Sequence, residues 1–104
     1  MPAKAKKTNL DQLEKRRREK RQHKLSSLKN EFESGKIKSF DQIFAIFSPS
    51  PLALELTIPY YSFLVKINDP RHFKVAEILN FAKLIDVEDE IIYRFIKNLI
   101  HTKK

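Results

Sequence analysis

The sequence contains no cysteine and a single glycine among its 104 residues. The lack of cysteine excludes a disulfide framework and a thiolate metal site, and one glycine is too few for a glycine-rich phosphate loop. No apolar run approaches the ~18 residues needed to span a bilayer, and the start, MPAKAKKTNL, lacks the apolar core of a secretory signal. We therefore expect a cytoplasmic protein with no membrane partner.

Acidic side chains are scarce in the first third of the chain. The chain has 21 Lys/Arg and 13 Asp/Glu residues. Positions 1–38 hold 13 of the basic and 5 of the acidic residues, so positions 39–104 hold 8 basic and 8 acidic residues. The formal charge of +8 therefore lies entirely in the first segment, whereas all aromatic residues except Phe32 fall at or after Phe40. This division predicts a basic arm that binds a polyanion, followed by a neutral, apolar-rich module.

The arm is predicted to be one long helix over residues 9–34, preceded by a disordered basic tail. Asn9 is a candidate cap for its start, and Gly35 suits the left-handed turn that ends many helices. Residues 14–24, EKRRREKRQHK, contain no apolar side chain, so this stretch should face solvent. The predicted divisions of the chain are a tail over 1–8, an arm over 9–35 and a module over 39–104.

Apolar residues reappear at the end of the arm. Leu25, Leu28 and Phe32 follow one another at spacings of three and four, which predicts that the last two turns dock on the core. A coiled-coil dimer through Leu10, Leu13, Leu25 and Leu28 is disfavoured, because residues 14–24 supply no apolar side chain and a coiled coil needs apolar positions throughout its seam.

The stretch LALELTIPYYSFLVKIND, residues 52–69, raises the question of one helix or two. Proline inside a helix would cost ~3 kcal/mol or more, whereas at the first helical position it costs nothing. We therefore predict two helices, 51–56 and 59–68, separated at Pro59. Ser50 is a candidate cap for the first of them, with Pro51 at its first position.

The rest of the module also has helical periodicity. A capping-box pattern beginning at Ser39 precedes the apolar face of a helix within 40–47, a second amphipathic helix covers 73–85, and Asp86 is a candidate cap for the last helix. No segment alternates with period two over a sufficient length to predict a strand. The fold class is therefore all-α, with five short helices after the long basic helix.

Two short helices joined by a tight turn describe a helix-turn-helix, and here the chain resembles a known family. The stretches FDQIF (40–44), LALEL (52–56) and FKVAEILNFAKLIDVED (73–89), with Ile58, Tyr60, Phe63 and NDP (68–70), resemble the Cro/repressor (Xre-like) helix-turn-helix domains, in particular small bacterial proteins of that kind. In that family a small residue, here Ala53, lets the second helix pack closely, and an apolar residue, here Phe63, fills the gap. The chain departs from the family at Thr57, usually glycine, and at Lys66, usually apolar.

The resemblance implies that helix 59–68 enters the major groove with its N-terminal part against base edges. The base-edge candidates are Tyr61, Ser62, Val65, Lys66 and Asn68. The phosphate-binding candidates are Arg71 and Lys74, just after that helix, and the arm residues Lys15, Arg16, Arg17, Arg18, Lys20, Arg21 and Lys24. The expected function is that of a small DNA-binding transcription regulator, with affinity supplied by the arm and sequence preference by the module.

Two other interpretations remain open. The module could be a protein-interaction or assembly unit whose arm binds RNA, DNA or an acidic partner without reading bases, since fold does not fix function. The interpretation that the arm is a basic helix lying on an anionic membrane is weaker, because the arm lacks a bulky apolar face. A homodimer through the last helix, flanked by Tyr93 and Phe95, is a further prediction. The scattered histidines and serines predict no enzyme, metal or cofactor.

Overall fold

The computed structural model describes residues 2–102 and their side chains from Leu10 onward. Within that range the chain forms helices and turns without any strand. The helices are α1 (Pro2–Glu33), α2 (Phe40–Ile46), α3 (Pro49–Glu55), α4 (Tyr60–Asn68), α5 (Val75–Ile85) and α6 (Asp89–Thr102), with a single 3₁₀ turn at Pro70–His72. The all-α class and the long N-terminal helix are confirmed, and the 3₁₀ turn is an additional element.

Helix α1 begins earlier than the sequence indicates. It starts at Pro2 rather than near Asn9, and Met1 lies outside the described residues. The disorder of the basic tail over residues 1–8 stays a prediction. Proline is favoured at the first helical position, and the alanines and lysines that follow are strong helix formers. These local preferences outweigh the terminal position and the charge of the segment.

The end of α1 docks on the core, as predicted. Leu25, Leu28 and Phe32 are 6%, 0% and 5% exposed. The ring of Phe32 meets the rings of Phe81 and Phe95 in edge-to-face contacts, with centroid distances of 6.0 and 5.2 Å. The core therefore extends back to Leu25, and the preceding part of α1 projects from it, in a molecule that measures 63 × 30 × 22 Å.

Helices α1, α3 and α5 end with one residue in the left-handed conformation. The three residues are Gly35, Thr57 and Asp86, with φ of 75°, 58° and 60°. After α3, the N–H of Ile58 donates to the carbonyl of Ala53 at 3.0 Å, which is the long bond of a Schellman motif. The other two helices close in the same way. Asp86 therefore ends α5, and the prediction that it caps the last helix is wrong.

We expect Thr57→Gly to raise the free energy of unfolding by about 1 kcal/mol. A non-glycine residue in the left-handed region costs roughly 1–2 kcal/mol, and the greater freedom of glycine in the unfolded chain offsets part of the gain. Urea unfolding followed by circular dichroism measures the difference. Gly35→Thr is the reciprocal control and should lose about as much, because a Cβ at Gly35 would meet no atom within 4 Å. If Thr57→Gly were less stable than the wild type, the left-handed conformation of Thr57 would not be strained.

The chain divides at Pro59, as predicted. Pro59 is the residue before α4 and has extended rather than helical angles, φ −54° and ψ 141°. The start of α3 differs from the prediction, because Ser48 precedes the helix and Pro49 occupies its first turn, so Ser50 is not the cap. Both Pro49 and Pro51 are tolerated there, since the first N–H groups of a helix have no intrahelical partner.

The two residues that the helix-turn-helix resemblance singles out are both buried. Ala53 is 2% exposed and Phe63 is fully buried. The ring of Phe63 contacts those of Phe40 and Phe44, both with centroid distances of 6.3 Å. Phe40 also meets Phe95 of α6 at 5.3 Å. This aromatic cluster joins α2, α4 and α6 and leaves the opposite face of α4 to solvent.

Candidate nucleic-acid interface

The exposed part of α1 carries a dense run of positive charge. Every residue from 10 to 24 is exposed. Seven of the side chains between 14 and 24 are Lys or Arg, and five of these make no hydrogen bond or ion pair with any residue that the structure describes. The five are Lys15, Arg16, Arg17, Arg18 and Lys20. Their charges are therefore open to an external anion.

The other two predicted phosphate ligands of the arm contact the module. Arg21 Nη2 donates to Glu55 Oε1 at 2.8 Å, and Arg21 Nε donates to the second oxygen of the same carboxylate. This hydrogen-bonded guanidinium lowers the pKa of Glu55 below its usual range. Lys24 Nζ lies 5.6 Å from the centroid of the Phe47 ring, a cation–π contact. Arg21 thus ties the arm to the end of α3, and Lys24 ties it to the corner between α2 and α3.

A groove of about 260 Å³ separates this part of α1 from the start of α3. We call it the basic groove; it is lined by Arg17, Lys20, Arg21, Lys24, Phe47, Pro51 and Glu55. The four cations stand at i, i+3, i+4 and i+7 along α1, which places them on one face of the helix. The sequence shows the charge, whereas only the docking of α1 shows which charges share this groove.

Helix α4 presents four of the five predicted base-edge residues at the surface. Tyr61 is 84% exposed and Val65 54%, and Ser62 and Asn68 are also exposed. These side chains offer a phenol, a hydroxyl, an amide and an aliphatic group, but no cation. Any phosphate attraction beside α4 must therefore come from other elements.

Lys66 is wrongly predicted as a base-edge residue. It is 8% exposed, and its ammonium donates to Glu77 Oε1 at 2.9 Å and to the His72 carbonyl at 3.3 Å. Lys66 lies three residues after Phe63 and thus on the inner face of α4. At this position the ammonium of Lys66 therefore joins α4 to Glu77 of α5 by an ion pair.

Arg71 and Lys74, the remaining phosphate candidates, are both exposed in the segment between α4 and α5. Arg71 makes two side-chain hydrogen bonds of 2.9 Å to the carboxylate of Asp69. These bonds are the main reason why the pKa of Asp69 falls to about 2. Because its charge is balanced locally, Arg71 attracts a polyanion less than its sequence position suggests.

Sequence reasoning missed an apolar surface on α3 and α4. We call it the apolar patch; its residues are Leu54, Tyr60, Tyr61, Leu64 and Val65. Leu54 is 81% exposed and Tyr60 is 44% exposed. Both line a groove of about 440 Å³ between the two helices. A helical wheel could have found Leu54, since it points away from the buried Leu52 and Leu56.

The last helix uses most of its apolar face inside its own module. Phe95, predicted to flank a dimer contact, is 6% exposed and packs against Phe32 and Phe40, so this part of the prediction is wrong. Tyr93 is 55% exposed. A dimer through α6 would therefore have to be built on Tyr93 and the polar residues beside it.

Comparisons with protein-family models, with curated proteins and with solved structures gave no match to this chain. Among residues 2–102, no helix has the length and hydrophobicity needed to cross a membrane. The same part of the chain contains no group of three or more metal-ligating side chains.

Proposed function

We propose that the protein binds duplex DNA and acts as a small transcription regulator, with α1 contacting phosphates and α4 entering the major groove. The observation that carries the proposal is the set of five unpaired, exposed cations on α1, next to a module of zero net charge. DNA-binding proteins take much of their affinity from neutralised phosphates. A cation that has no partner among the described residues can bind a phosphate without breaking an existing ion pair.

The proposed role of α4 rests on its pairing with α3. The two helices are joined by a turn of four residues, 56–59, and each buries one residue that the motif requires, Ala53 and Phe63, a pattern that resembles the helix-turn-helix motif. In that motif the N-terminal residues of the second helix meet base edges. Ser62 could hydrogen-bond a base, and Val65 could contact a thymine methyl group.

The test is a binding titration of the full chain against duplex DNA at several salt concentrations. Each phosphate contact contributes about −0.9 to the slope of log affinity against log salt, so the measured slope counts the contacts, and about −4.5 is the value if all five cations are used. Fluorescence anisotropy with a labelled duplex measures it. A protein that ignores duplex DNA at low salt would end the proposal.

Base reading by α4 requires a separate comparison on the same duplexes. We expect Tyr61→Ala and Ser62→Ala to alter the sequences selected from a random duplex pool while leaving the salt slope unchanged. Tyr93→Ala is the matched control, since Tyr93 is also an exposed tyrosine but lies on α6. Unchanged selection in all three variants would remove α4 from base recognition.

A second candidate function has its own supporting observation. The apolar patch gathers five exposed large apolar side chains on α3 and α4, and such surfaces commonly mark protein contacts. In this alternative the arm still binds a polyanion, while the module docks on a protein and reads no bases. Strong, salt-dependent DNA binding without any sequence preference would favour it.

We also propose, as a lesser point, that two copies pair through α6. Helix-turn-helix dimers bind two half-sites about one DNA turn apart, and a pair would bring two basic arms to one site. Sedimentation equilibrium of the wild type and of Tyr93→Ala would check it: a dimer that Tyr93→Ala weakens is the expected result, and a monomer at all concentrations rejects it.

A further inference from the structure

We propose that the basic groove seats the phosphodiester backbone, and that Glu55 holds part of this seat until the nucleic acid displaces it. The inference rests on the proposed DNA binding and adds two things to it. It specifies which face of α1 contacts the phosphates, and it identifies Glu55 as a carboxylate that competes with them for that face.

Apart from Arg21, which is paired with Glu55, the six cations between residues 15 and 24 of α1 form two sets by helical position. Arg17, Lys20 and Lys24 line the basic groove beside α3. At 100° per residue, Lys15, Arg16 and Arg18 lie on the other sides of the same helix. Among the residues that the structure describes, these six except Lys24, which lies over the Phe47 ring, have no hydrogen-bond, ion-pair or ring partner. The two sets carry equal charge, so a generic electrostatic attraction would use them equally.

The shape and spacing of the groove suit a polymer of phosphates. Positions 17 to 24 span roughly 10 Å along a helix that rises 1.5 Å per residue. A DNA strand carries one phosphate per ~3.4 Å of axis, so three groove cations face about three successive phosphates. Phe47 and Pro51 form an uncharged wall, and Glu55 is the acidic residue that lines the groove.

The contact between Arg21 and Glu55 imitates a phosphate contact. A guanidinium binds a carboxylate and a phosphate with the same two-pronged geometry, and Glu55 here accepts from both Nε and Nη2. The side chains of Arg21 and Glu55 remain 44% and 26% exposed. A partly exposed ion pair of this kind is weak, so a phosphate that enters the groove can replace the carboxylate.

Two charge-matched triple variants of the full chain test the groove. Arg17→Gln, Lys20→Gln and Lys24→Gln together should weaken binding to duplex DNA roughly 100-fold at 0.1 M salt and flatten the salt slope by about 2.7. Lys15→Gln, Arg16→Gln and Arg18→Gln together should flatten it by less than about 1. All six residues are exposed, and of these only Lys24 also contacts a ring, that of Phe47. Glutamine is a good helix former, so both variants should fold.

The competitor is tested by Glu55→Gln, with Glu88→Gln as its control. Glu88 is exposed at the turn between α5 and α6, so both changes remove one negative charge. We expect Glu55→Gln to tighten duplex binding several-fold more than Glu88→Gln does. Equal effects of the two triples, or of these two variants, would overturn the groove assignment while DNA binding stands. Failure of the wild type to bind would instead reject the proposed function itself.

Discussion

Replacing Phe32 by alanine should lower the free energy of unfolding by about 3–5 kcal/mol, the range for a large aromatic residue lost from a core. Phe32 is 5% exposed and meets Phe81 and Phe95 edge to face. Its removal would therefore leave a cavity between α1, α5 and α6. Since domains of this size have total stabilities of roughly 5–15 kcal/mol, such a loss should be evident in urea unfolding.

Leu13→Ala is the matched control within the same helix. Leu13 is 44% exposed, so its truncation removes no core contact and should change stability by less than ~0.5 kcal/mol. If Phe32→Ala cost as little as Leu13→Ala, α1 would not be docked, and the basic groove would have no fixed wall. The stability of the docked end thus decides whether the arm has a defined position at all.

This docking also determines how the arm can be studied. A chain that starts near Ser39 would lose the buried side chains of Leu25, Leu28 and Phe32 together with the charge. Weaker DNA binding by that fragment would then not distinguish lost phosphate contacts from a damaged core. Glutamine substitutions between residues 15 and 24 remove the charge and leave the core intact, which is why the tests above use them.

The parts of the fold that were predictable from sequence are those set by local chemistry. Pro59 cannot continue a helix, and α4 accordingly begins at Tyr60. The spacing of Leu25, Leu28 and Phe32 identified the buried stripe of α1 without any knowledge of its partners. In both cases the relevant constraint lies within a few residues of the feature itself.

Other features went against a local preference or depended on contacts that are distant in sequence. The left-handed angle of Thr57 comes from the closure of α3 and goes against the preference of a β-branched residue. The basic arm was found from composition, but the contact of Arg21 with Glu55 joins residues 34 positions apart. The charge pattern of the sequence predicts that the partner is a polyanion. Which face of α1 can bind it depends on how α1 packs against the module.

The sequence interpretation placed Lys66 at the surface, whereas the structure buries it in an ion pair with Glu77. Lys66→Met should lower the free energy of unfolding by about 2–3 kcal/mol at pH 7, because it leaves the largely buried Glu77 carboxylate without its ion-pair partner. The two side chains are only 10% and 16% exposed. Lys83→Met, at an exposed lysine on α5, should stay within ~0.5 kcal/mol of the wild type.

The pH dependence separates this mechanism from lost packing. Burial by itself raises the pKa of Glu77, but hydrogen bonds from the Lys74 N–H and the Lys66 ammonium outweigh it and lower that pKa. A depressed carboxyl pKa gives stability that is present above the unfolded pKa and is lost as pH falls through the folded pKa. The wild type should therefore lose stability below about pH 4.5, and the difference from Lys66→Met should narrow there.

A double variant completes the argument. Lys66→Met with Glu77→Gln removes both charges, while the amide oxygen can still accept from the Lys74 N–H, now 2.9 Å from the Glu77 carboxylate. Replacing a buried pair by neutral groups is often harmless, so the double variant should recover most of the stability that Lys66→Met loses. If the double variant is no more stable than Lys66→Met, or if their difference is the same at pH 7 and pH 4, the loss comes from packing on the inner face of α4. In that case Lys66 acts through its aliphatic chain, as the apolar residue of the helix-turn-helix pattern would.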